Sequence, residues 1–507
     1  MHILGSIIKG AINVKHALES EQNAHDEQVA VLKMLLEEAK DTAFGKYHNF
    51  AQILEQEDIA AAFAKALPYY DYHTMEKDWW CKVVDGNPDI TWPGKPDYFA
   101  ISSGTTGKKS KRIPVTEKML DSIQQAGIKQ VTAVANFDLP ADFFEKGIMM
   151  LGSSTELAER DEFLEGEISG ISASNIPYWF EGFYKPGKEI AKIDDWDDRV
   201  LEIAKHAKEW DIGALSGIPS WMELMLQKVI EYHGADNIHD IWPNFQVYTS
   251  GGVAFQPYEK SFDKLLGKPI HVIDTYLASE GFIAYQERPE TTAMKLITDG
   301  GIYFEFVPFE PDYINEDGTI TQDAPSLTLD QVKIDTDYIL IMSSVSGAWR
   351  YLIGDTIAFT DIERAEIVIT GRTKFFLNVV GSQLSVQKMN TGIQDLEEQF
   401  DIEIPEFTLA AVRIDEEFHH HWYLGTTADT SEKELAEKLD AHLSEANKNY
   451  RVARSKALKG VKVTTVDPSV FSEWSGAQKK KGGQVKMAKV MSEEKFAEWE
   501  SFVKDLS

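Results

Sequence analysis

Between residues 195 and 275 the sequence alternates segments of helical and strand periodicity, and this alternation constrains the fold most. Residues 195–210 and Pro219–His233 carry apolar residues at helical spacing, whereas residues 245–250 and 269–275 are short and contain β-branched and aromatic residues. Such alternation is typical of layered α/β structures, in which each connecting helix packs on a face of the sheet. We therefore predict an α/β core.

The periodicity changes twice more along the chain. Residues 293–370 contain a series of short apolar segments separated by Gly, Asp and Pro turns, which predicts a β-rich subregion attached to the α/β core. From about residue 376, helix and strand patterns mix again over a segment long enough for a separate small domain. We predict a large N-terminal domain with layered sheets over residues 1–375 and a small α+β domain over residues 376–507.

The charge of the chain limits its partners. The 507 residues include 82 Asp and Glu against 51 Lys and Arg, a formal net charge of −31, which disfavours nucleic acids and anionic membrane surfaces. Cys81 is the only cysteine, so an intramolecular disulfide is excluded. No window approaches the ~18 uninterrupted apolar residues of a membrane span. We expect a cytoplasmic monomer that acts on small molecules, without a nucleic-acid or membrane partner.

A loop rich in glycine, hydroxyl and lysine residues occupies positions 102–111 (SSGTTGKKSK), directly after a predicted strand at 97–101. Glycine lets backbone N–H groups approach a phosphate closely, and hydroxyl and lysine side chains donate to its oxygens. The spacing differs from the P-loop of kinases and GTPases, which would require glycine at Ser102 and a hydroxyl residue at Lys109. The loop predicts polyphosphate binding, and an exposed polar turn without a ligand is the alternative.

A second motif, TYLASEG, starts at Thr275, directly after the predicted strand 269–275. Tyr276 can stack on a purine, Ser279 can donate to a phosphate, and Glu280 can hold Mg²⁺. A core aromatic, a turn hydroxyl and a surface acid are the ordinary alternatives. The position after a strand, shared with the glycine-rich loop, favours a common ligand site.

Three further motifs carry charged groups that suit a nucleotide. Asp355 follows a glycine at a predicted strand end and suits the two hydroxyls of a ribose. Arg372 lies in GRTKFFLN at the predicted domain boundary, where a capped strand end is the alternative. Lys486 ends the glycine-containing segment GGQVK, which can place a lysine on a phosphate or form a solvated surface loop.

Nine motifs occur in an order that is far more specific than any one of them. They are TAFGKY at Thr42, WPGKPDYFAISSGTTGKKSKRIPVT at Trp92, SGIPSW at Ser216, IWPNFQVYTSGGVAFQPY at Ile241, YLASEGF at Tyr276, GIYFEFVP at Gly301, WRYLIGD at Trp349, GRTKFFLN at Gly371 and GGQVK at Gly482. Together they resemble the adenylate-forming superfamily of acyl ligases and firefly luciferase. Within it, the chain resembles the auxin-responsive Gretchen-Hagen family of acyl acid–amido synthetases, and its bacterial members more than its plant members.

The resemblance implies a role for each matched residue. For the nucleotide, it implies Ser102, Ser103, Gly104, Thr105, Thr106 and Gly107 in the phosphate loop, Gly251, Gly252, Thr275 and Tyr276 around the adenine, Ser279 at the α-phosphate, Asp355 at the ribose and Arg372 near the hinge. It further implies Glu280 as the Mg²⁺ ligand and Lys486 as the catalytic lysine that a mobile small domain brings to the phosphates. Trp221, Val253 and Phe255 would border the acyl pocket.

The activity implied by the resemblance is ATP- and Mg²⁺-dependent. The ligase would adenylate a small carboxylic acid and transfer the acyl group to an amino acid or another amine. An acyl-CoA or acyl-carrier ligase with the same first step, and a catalytically silent nucleotide-binding protein, are the alternatives. Leu352, Ser382 and Ala488-Lys489 depart from the family pattern of Arg, Glu and Pro-Arg. The last two departures bear on how the small domain docks.

Three consecutive histidines, His419, His420 and His421, raise the question of a metal site. Adjacent side chains on a strand point to opposite faces, so at most His419 and His421 share an ion. No third ligand is evident nearby. We therefore predict an exposed strand end at this position.

Overall fold

A computed structural model gives the fold, and every structural statement below concerns the residues that it describes. These residues are 9–10, 23–102, 111–160, 162–252, 255–315, 319–373, 384, 386–414, 417–446, 450–451, 454, 458–477, 487–491 and 493–506.

Helices are concentrated before residue 85, between 117 and 263, and after 386. They are α1 (Ala24–Ala39), α2 (Ala43–Tyr47), α3 (Phe50–Leu54), α4 (Ile59–Ala66), α5 (Tyr72–Met75), α6 (Cys81–Val84), α7 (Glu117–Ala133), α8 (Ile168–Ser174), α9 (Lys188–Ala191), α10 (Trp196–His206), α11 (Pro219–His233), α12 (Glu259–Asp263), α13 (Val386–Phe400), α14 (Glu432–Ala446), α15 (Ser469–Ala477) and α16 (Glu493–Leu506).

The strands alternate with these helices in the middle of the chain. Between residues 271 and 372 the described strands follow one another without an intervening α-helix. They are β1 (Tyr98–Ser102), β2 (Lys111–Val115), β3 (Gly147–Leu151), β4 (Ala158–Glu159), β5 (Leu164–Gly166), β6 (Tyr184–Lys185), β7 (Ile212–Gly217), β8 (Val247–Gly251), β9 (His271–Ala278), β10 (Gly281–Tyr285), β11 (Met294–Leu296), β12 (Ile302–Pro308), β13 (Asp337–Ser344), β14 (Ala348–Asp361), β15 (Glu366–Arg372), β16 (Glu406–Ile414), β17 (Glu417–Gly425) and β18 (Leu458–Val466).

Within the described ranges the strands form three sheets. The large sheet has the order β12-β13-β14-β15-β11-β10-β9-β8-β7-β3-β6, the N-terminal sheet the order β2-β1-β5-β4, and the C-terminal sheet the order β16-β17-β18. In the large sheet, β6, β3, β7, β8 and β9 are parallel. The remaining strands, in the order β10, β11, β15, β14, β13 and β12 across the sheet, pair antiparallel, and β10 is also antiparallel to β9. The predicted α/β core is confirmed, and the β-rich subregion continues the same sheet.

Pairing between strands changes the position of two predicted motifs. Residues 275–278 do not follow a strand but form its last part, because Tyr276 and Leu277 pair with Ala284 and Phe282 of β10. Asp355 is likewise inside β14 and not at its end, since β14 pairs along its length with β13 on one side and β15 on the other. The strands are therefore longer than the local sequence predicted.

The loop at 103–110 connects two strands of the N-terminal sheet. Its flanking residues Ser102 and Lys111 face each other in the antiparallel pair β1–β2. The predicted strand before the loop is confirmed as β1, which belongs to the N-terminal sheet and not to the large sheet. Residues 103–110 themselves lie outside the described residues.

Two apolar clusters fix the helices on the large sheet. α10 and α11 pack on the parallel strands through buried residues that include Ile203, Met222 and Leu226. The N-terminal helices pack on the antiparallel strands, and α1 contributes Leu32, Leu35 and Leu36, which are 0% exposed. At roughly 2 kcal/mol for each fully buried aliphatic side chain, these contacts outweigh the intrinsic helical preference of the segments.

Gln28 on α1 adds polar contacts to this apolar packing. Its side-chain amide donates to Ile302 O at 2.9 Å and accepts from Phe304 N–H at 2.7 Å. The side chain is 3% exposed, so both groups need partners inside the protein. These bonds fix α1 along β12.

A buried ion pair joins β12 and β14. Arg350 and Glu305 are 3% and 1% exposed, and Arg350 Nη2 lies 3.0 Å from Glu305 Oε1. The guanidinium also donates to the carbonyl oxygens of Ala64 at 2.8 Å and Leu67 at 2.5 Å, and it lies 3.9 Å from the centre of the Tyr69 ring. Arg350 thus connects the segment after α4 to the strand that carries Asp355.

The C-terminal sheet has its own apolar core. Trp422 and Leu424 of β17 and Leu439 and Leu443 of α14 are 0% exposed in this cluster. The departure from the family pattern at Ala488-Lys489 is accommodated here, since Thr408 Oγ1 donates to Ala488 O and Lys489 Nζ lies 2.8 Å from Glu406 Oε2. The assignment of residues 376–507 to a separate domain stays a prediction.

The histidine run is not an exposed strand end. β17 lies between β16 and β18, and His420 and His421 are 0% and 2% exposed. His420 packs against the Tyr450 ring, whereas His421 lies on the opposite face and contacts Thr464 Oγ1 at 2.9 Å and Glu500 Oε1 at 3.2 Å. The prediction was wrong because it treated the run without its neighbouring strands.

The Arg350–Glu305 pair predicts an asymmetric loss of stability. Arg350→Met leaves Glu305 charged and buried without its partner, and we expect the free energy of unfolding to fall by about 3–5 kcal/mol. Lys264→Met is the control, because the Lys264–Glu403 pair is more than half exposed and should change stability by less than about 1 kcal/mol. Urea unfolding measures both, and equal effects would contradict this assignment.

Candidate active site

Two glycines end β8 beside β9. Gly251 pairs with Thr275 in register, and a Cβ atom on Gly251 would lie 2.9 Å from Thr275 Oγ1. That hydroxyl donates to Ser250 O at 2.8 Å and is held in place. Gly252 has a φ of +80°, which favours glycine. Packing against Thr275 therefore favours glycine at position 251, and the backbone conformation favours it at position 252.

Ser279 and Glu280 form the turn of a hairpin between β9 and β10, in which Ala278 pairs with Gly281. The turn lies at the carboxyl end of β9, the same sheet edge as Gly251 at the end of β8. Ligands bind at this edge in open α/β sheets. The structure thus brings together the predicted adenine, α-phosphate and metal-binding residues.

Tyr276, Asp355 and Arg372 form a chain of polar contacts across three strands. The buried Tyr276 hydroxyl donates to Asp355 Oδ2, and Arg372 Nε lies 2.7 Å from Asp355 Oδ1. Asp355 and Arg372 are direct cross-strand neighbours on β14 and β15. Burial, followed by the neighbouring Asp355 carboxylate, raises the pKa of Tyr276, so this phenol stays a donor. The sequence had not predicted these contacts among Tyr276, Asp355 and Arg372.

Asp355 keeps the capacity to bind ribose hydroxyls. Each carboxylate oxygen already accepts one donor but has a further lone pair. The Asp355 side chain is 13% exposed and that of Arg372 is 44% exposed, so the group reaches solvent. The departure at Leu352 does not affect this arrangement, because Leu352 packs in an apolar cluster with Tyr69 and Val307.

Glu280 is buried among groups of both charges. It is 6% exposed, and burial raises the pKa of its carboxyl; Lys111 opposes this rise and Asp355 reinforces it. The Tyr351 phenol is fully buried beside the Glu280 carboxylate, and its hydroxyl has no hydrogen bond of good geometry to a described residue. Glu280 is therefore an acceptor that a cation or a donor at this site would stabilise.

The predicted acyl-pocket residues that are described lie close to one core. Phe255 is 8% exposed and its ring lies 5.5 Å from that of Tyr248 and 5.2 Å from that of Phe262. Trp221, in the first turn of α11, is partly exposed, and its ring lies 5.0 Å from that of Trp196. Trp221 is accordingly the more accessible of the two.

Several predicted site residues cannot be placed. Ser103, Gly104, Thr105, Thr106, Gly107, Val253 and Lys486 lie outside the described residues. The backbone of Ser102 ends β1, and the segment after Lys486 is attached to the C-terminal sheet, where Leu409 N–H donates to Lys489 O at 2.9 Å. Their roles stay predictions.

Two residues near Glu280 were missed at the sequence level. Tyr351 belongs to the WRYLIGD motif, but only the strand pairing shows that its phenol lies beside Glu280. Lys111 was noted for its charge, and the structure places its ammonium 5.4 Å from the Tyr72 ring and close enough to Glu280 to oppose the rise in its pKa.

Comparison with known families gives matches along most of the chain. The model of the GH3 family N-terminal domain matches residues 14–204, that of the GH3 family central domain residues 295–372, and that of the GH3 family C-terminal domain residues 387–495. The central match covers β11 to β15 and includes Tyr351, Asp355 and Arg372.

Curated relatives include plant synthetases. The jasmonoyl–L-amino acid synthetase JAR6 of Nicotiana attenuata is 21% identical over 370 residues, which cover 58% of this chain and 60% of that protein. The jasmonoyl–L-amino acid synthetase GH3.5 of Oryza sativa subsp. japonica is 22% identical over 347 residues, covering 54% and 58%. The matched region thus spans less than two thirds of these relatives.

Solved structures share the fold over nearly the whole chain. A GH3.15 acyl acid amido synthetase superposes with a TM-score of 0.75 at 16% identity, covering 98% of this chain and 96% of that chain. A 2-hydroxyisobutyryl-CoA ligase in the postadenylation state superposes with a TM-score of 0.56 at 11% identity, covering 94% and 91%. The predicted α/β fold with layered sheets is confirmed and is shared with both of these proteins.

Two features are absent from the residues that the structure describes. No helix among them combines the length and the apolar character that crossing a membrane requires. No cluster of three or more His, Cys, Asp or Glu side chains among them is arranged to hold a metal ion.

The burial of Glu280 predicts a pH-dependent gain of stability on its neutralisation. The pKa of Glu280 is higher in the folded protein than in the unfolded chain. The free energy of unfolding of the wild type is therefore greatest, as far as Glu280 is concerned, below the ordinary glutamate pKa of 4.5, and it falls as pH rises through the folded pKa. Glu280→Gln should therefore unfold at a higher urea concentration than wild type at about pH 8.

The gain should shrink as pH is lowered towards the ordinary pKa, because wild-type Glu280 is then protonated in both states. Glu57→Gln, at an exposed position, is the control and should show no such trend. A constant difference at all pH values would mean that the charge of Glu280 is not what matters.

Proposed function

The chain belongs to the GH3 family, and on that premise we propose that it is an ATP-dependent acyl acid–amido synthetase. It adenylates a small carboxylic acid and transfers the acyl group to an amino acid or another amine. The two plant relatives described above are jasmonoyl–L-amino acid synthetases, which supports this choice of acceptor.

One observation supports the proposal most strongly: Tyr276, Asp355 and Arg372 converge beside the glycines that end β8. A nucleoside needs a carboxylate for its ribose hydroxyls, and Asp355 offers one. Asp355 is held by a phenol and a guanidinium, so it is oriented before a ligand arrives. Such preorganisation reduces the cost of binding.

The chemistry requires activation because hydroxide leaves poorly from a carboxylic acid at neutral pH. A carboxylate oxygen of the acid attacks the α-phosphorus of ATP, and pyrophosphate leaves. The amine then attacks the acyl carbon, and AMP leaves with the oxygen that linked it to the acyl group. The protein positions these groups and neutralises charge on the phosphates.

Glu280 fits a role as ligand of Mg²⁺. It is a buried carboxylate without a described ion pair, and Mg²⁺ is usually bound through one or two carboxylates together with substrate phosphates. When bound, the ion would neutralise phosphate charge. Ser279, next to it, would donate to the α-phosphate.

The small C-terminal domain supplies the remaining cation in this proposal. Residues 376–507 would form that domain, and Lys486 would reach the phosphates during adenylation. Residues 488 and 489, which attach to β16, anchor the chain close to this lysine. We further propose that the enzyme works in the cytoplasm as a monomer, in line with its net charge of −31 and single cysteine.

The experiment is a screen for product. The protein is incubated with ATP, Mg²⁺ and a library of carboxylic acids, and ATP–pyrophosphate exchange identifies the accepted acids. Each accepted acid is then offered amino acids, other amines and CoA. Amide and AMP formation supports the proposal, whereas thioester formation alone would assign an acyl-CoA ligase. ATP binding without exchange for any acid would assign a silent nucleotide-binding protein.

Lys486 should be needed for the first half-reaction. We expect Lys486→Ala to reduce pyrophosphate exchange about 100-fold or more, because a cation that contacts developing charge is lost. Lys481→Ala, at a nearby lysine of the same segment, is the matched control and should lose little. Exchange by Lys486→Ala at the wild-type rate would show that this lysine has another role.

A further inference from the structure

Arg199 is a buried arginine without a charged partner. It lies in the first turn of α10 and is 5% exposed, yet no described residue forms an ion pair or a hydrogen bond with its guanidinium. Its one specific contact is with the Trp196 ring, whose centre lies 5.5 Å from the guanidinium carbon. Its Nε–H donor is buried without an acceptor, and burying a donor in this way destabilises a protein.

Arg350 shows what a satisfied arginine looks like in the same chain. The two residues are equally buried and both lie over an aromatic ring, but Arg350 has Glu305 and two carbonyl oxygens as acceptors. Arg199 lacks all of these. Burial accordingly lowers the pKa of Arg199, while Asp194, Tyr184 and Glu167 oppose the shift without pairing with it.

No carboxylate among the described residues forms an ion pair with Arg199, although Asp194 and Glu167 act on its pKa. Glu167 is near enough to act on the pKa of Arg199, but Oε2 of Glu167 accepts a hydrogen bond from Ser153 Oγ. Asp194 precedes the N-cap of α10, Asp195, and makes no ion pair with the guanidinium. A planar carboxylate from outside the chain would supply the two acceptors that a guanidinium binds side by side.

The position of Arg199 connects it to the candidate site. α10 lies between the parallel strands β6 and β7, and α11 between β7 and β8, so both helices begin at the edge of the sheet where β8 ends. Arg199 stacks on Trp196, and Trp196 packs against Trp221 in the first turn of α11. One ring therefore separates Arg199 from Trp221, the more accessible of the two predicted acyl-pocket residues that are described.

We propose that Arg199 binds a carboxylate group of a substrate at this edge of the sheet. The inference rests on the proposed function. Two substrates can carry the group: an amino acid acceptor through its α-carboxylate, or a dicarboxylic acid donor through the carboxylate that is not activated. In both cases the ligand supplies the acceptors that the fold withholds from Arg199.

The first test compares stability with binding. Arg199→Met should unfold at a temperature equal to or above that of the wild type, since it removes an unpaired buried charge, whereas Arg350→Met should unfold well below it. The twenty L-amino acids and the linear dicarboxylic acids of two to six carbons are then added at millimolar concentration. At least one should raise the wild-type midpoint, and Arg199→Met should lose that shift while Arg199→Lys retains part of it.

The second test identifies the source of the carboxylate. If Arg199 binds the acyl donor, Arg199→Met should raise the KM of pyrophosphate exchange at least about tenfold for dicarboxylic acids but not for monocarboxylic acids. If Arg199 binds the acceptor, Arg199→Met should raise the amino acid KM of amide formation by the same factor, and the rise should be absent when the amino acid is replaced by its carboxamide. Either result supports the proposal.

Contrary results are equally distinct. If no carboxylate shifts the wild-type midpoint, if the shift is equal in Arg199→Met, or if this variant is as unstable as Arg350→Met, Arg199 is not a carboxylate site. Failure of the wild type to exchange pyrophosphate with any acid would contradict the proposed synthetase activity instead. The thermal shifts would still decide the role of Arg199.

Discussion

The ion pair between Glu305 and Arg350 is the contact on which the arrangement of the central strands depends. It lies between β12 and β14 with almost no access to solvent, and the same guanidinium donates to Ala64 and Leu67 in the N-terminal segment. The backbone of Tyr70 bonds to both neighbours of Tyr351: Tyr70 N–H donates to Arg350 O at 3.0 Å, and Tyr70 O accepts from Leu352 N–H at 2.8 Å. Charge, packing and backbone pairing thus fix β14 from two sides.

That rigidity matters because β14 carries the centre of the site. Tyr351 directs its phenol towards Glu280, and four residues later Asp355 accepts from Tyr276 and Arg372. Burial raises the pKa of the Glu280 carboxyl, the nearby Asp355 carboxylate reinforces the rise, and Lys111 and Arg372 oppose it only in part. The site therefore offers acceptors to cations and to hydroxyl donors, which is what a magnesium nucleotide presents.

Local periodicity predicted the elements well and their connections less well. The helix Pro219–His233 was predicted to the residue, because it has a clear apolar pattern between turn signals. The ends of β9 and β14 were missed because pairing with β10 and with β15 extends these strands, and the burial of His420 depends on β16 and β18. The motifs identified Tyr276, Glu280 and Asp355, but the contacts of Tyr351 and the isolation of Arg199 are properties of tertiary packing that no local pattern contains.

The most direct test of the account follows an oxygen atom from the acid. With an accepted acid labelled with ¹⁸O in its carboxylate, ATP and an accepted amine, attack on the α-phosphorus leaves the bridging oxygen with the nucleotide. Mass spectrometry of the products should find one ¹⁸O atom in AMP and the other in the amide. Label in orthophosphate, or unlabelled AMP beside the amide, would contradict an acyl-adenylate pathway.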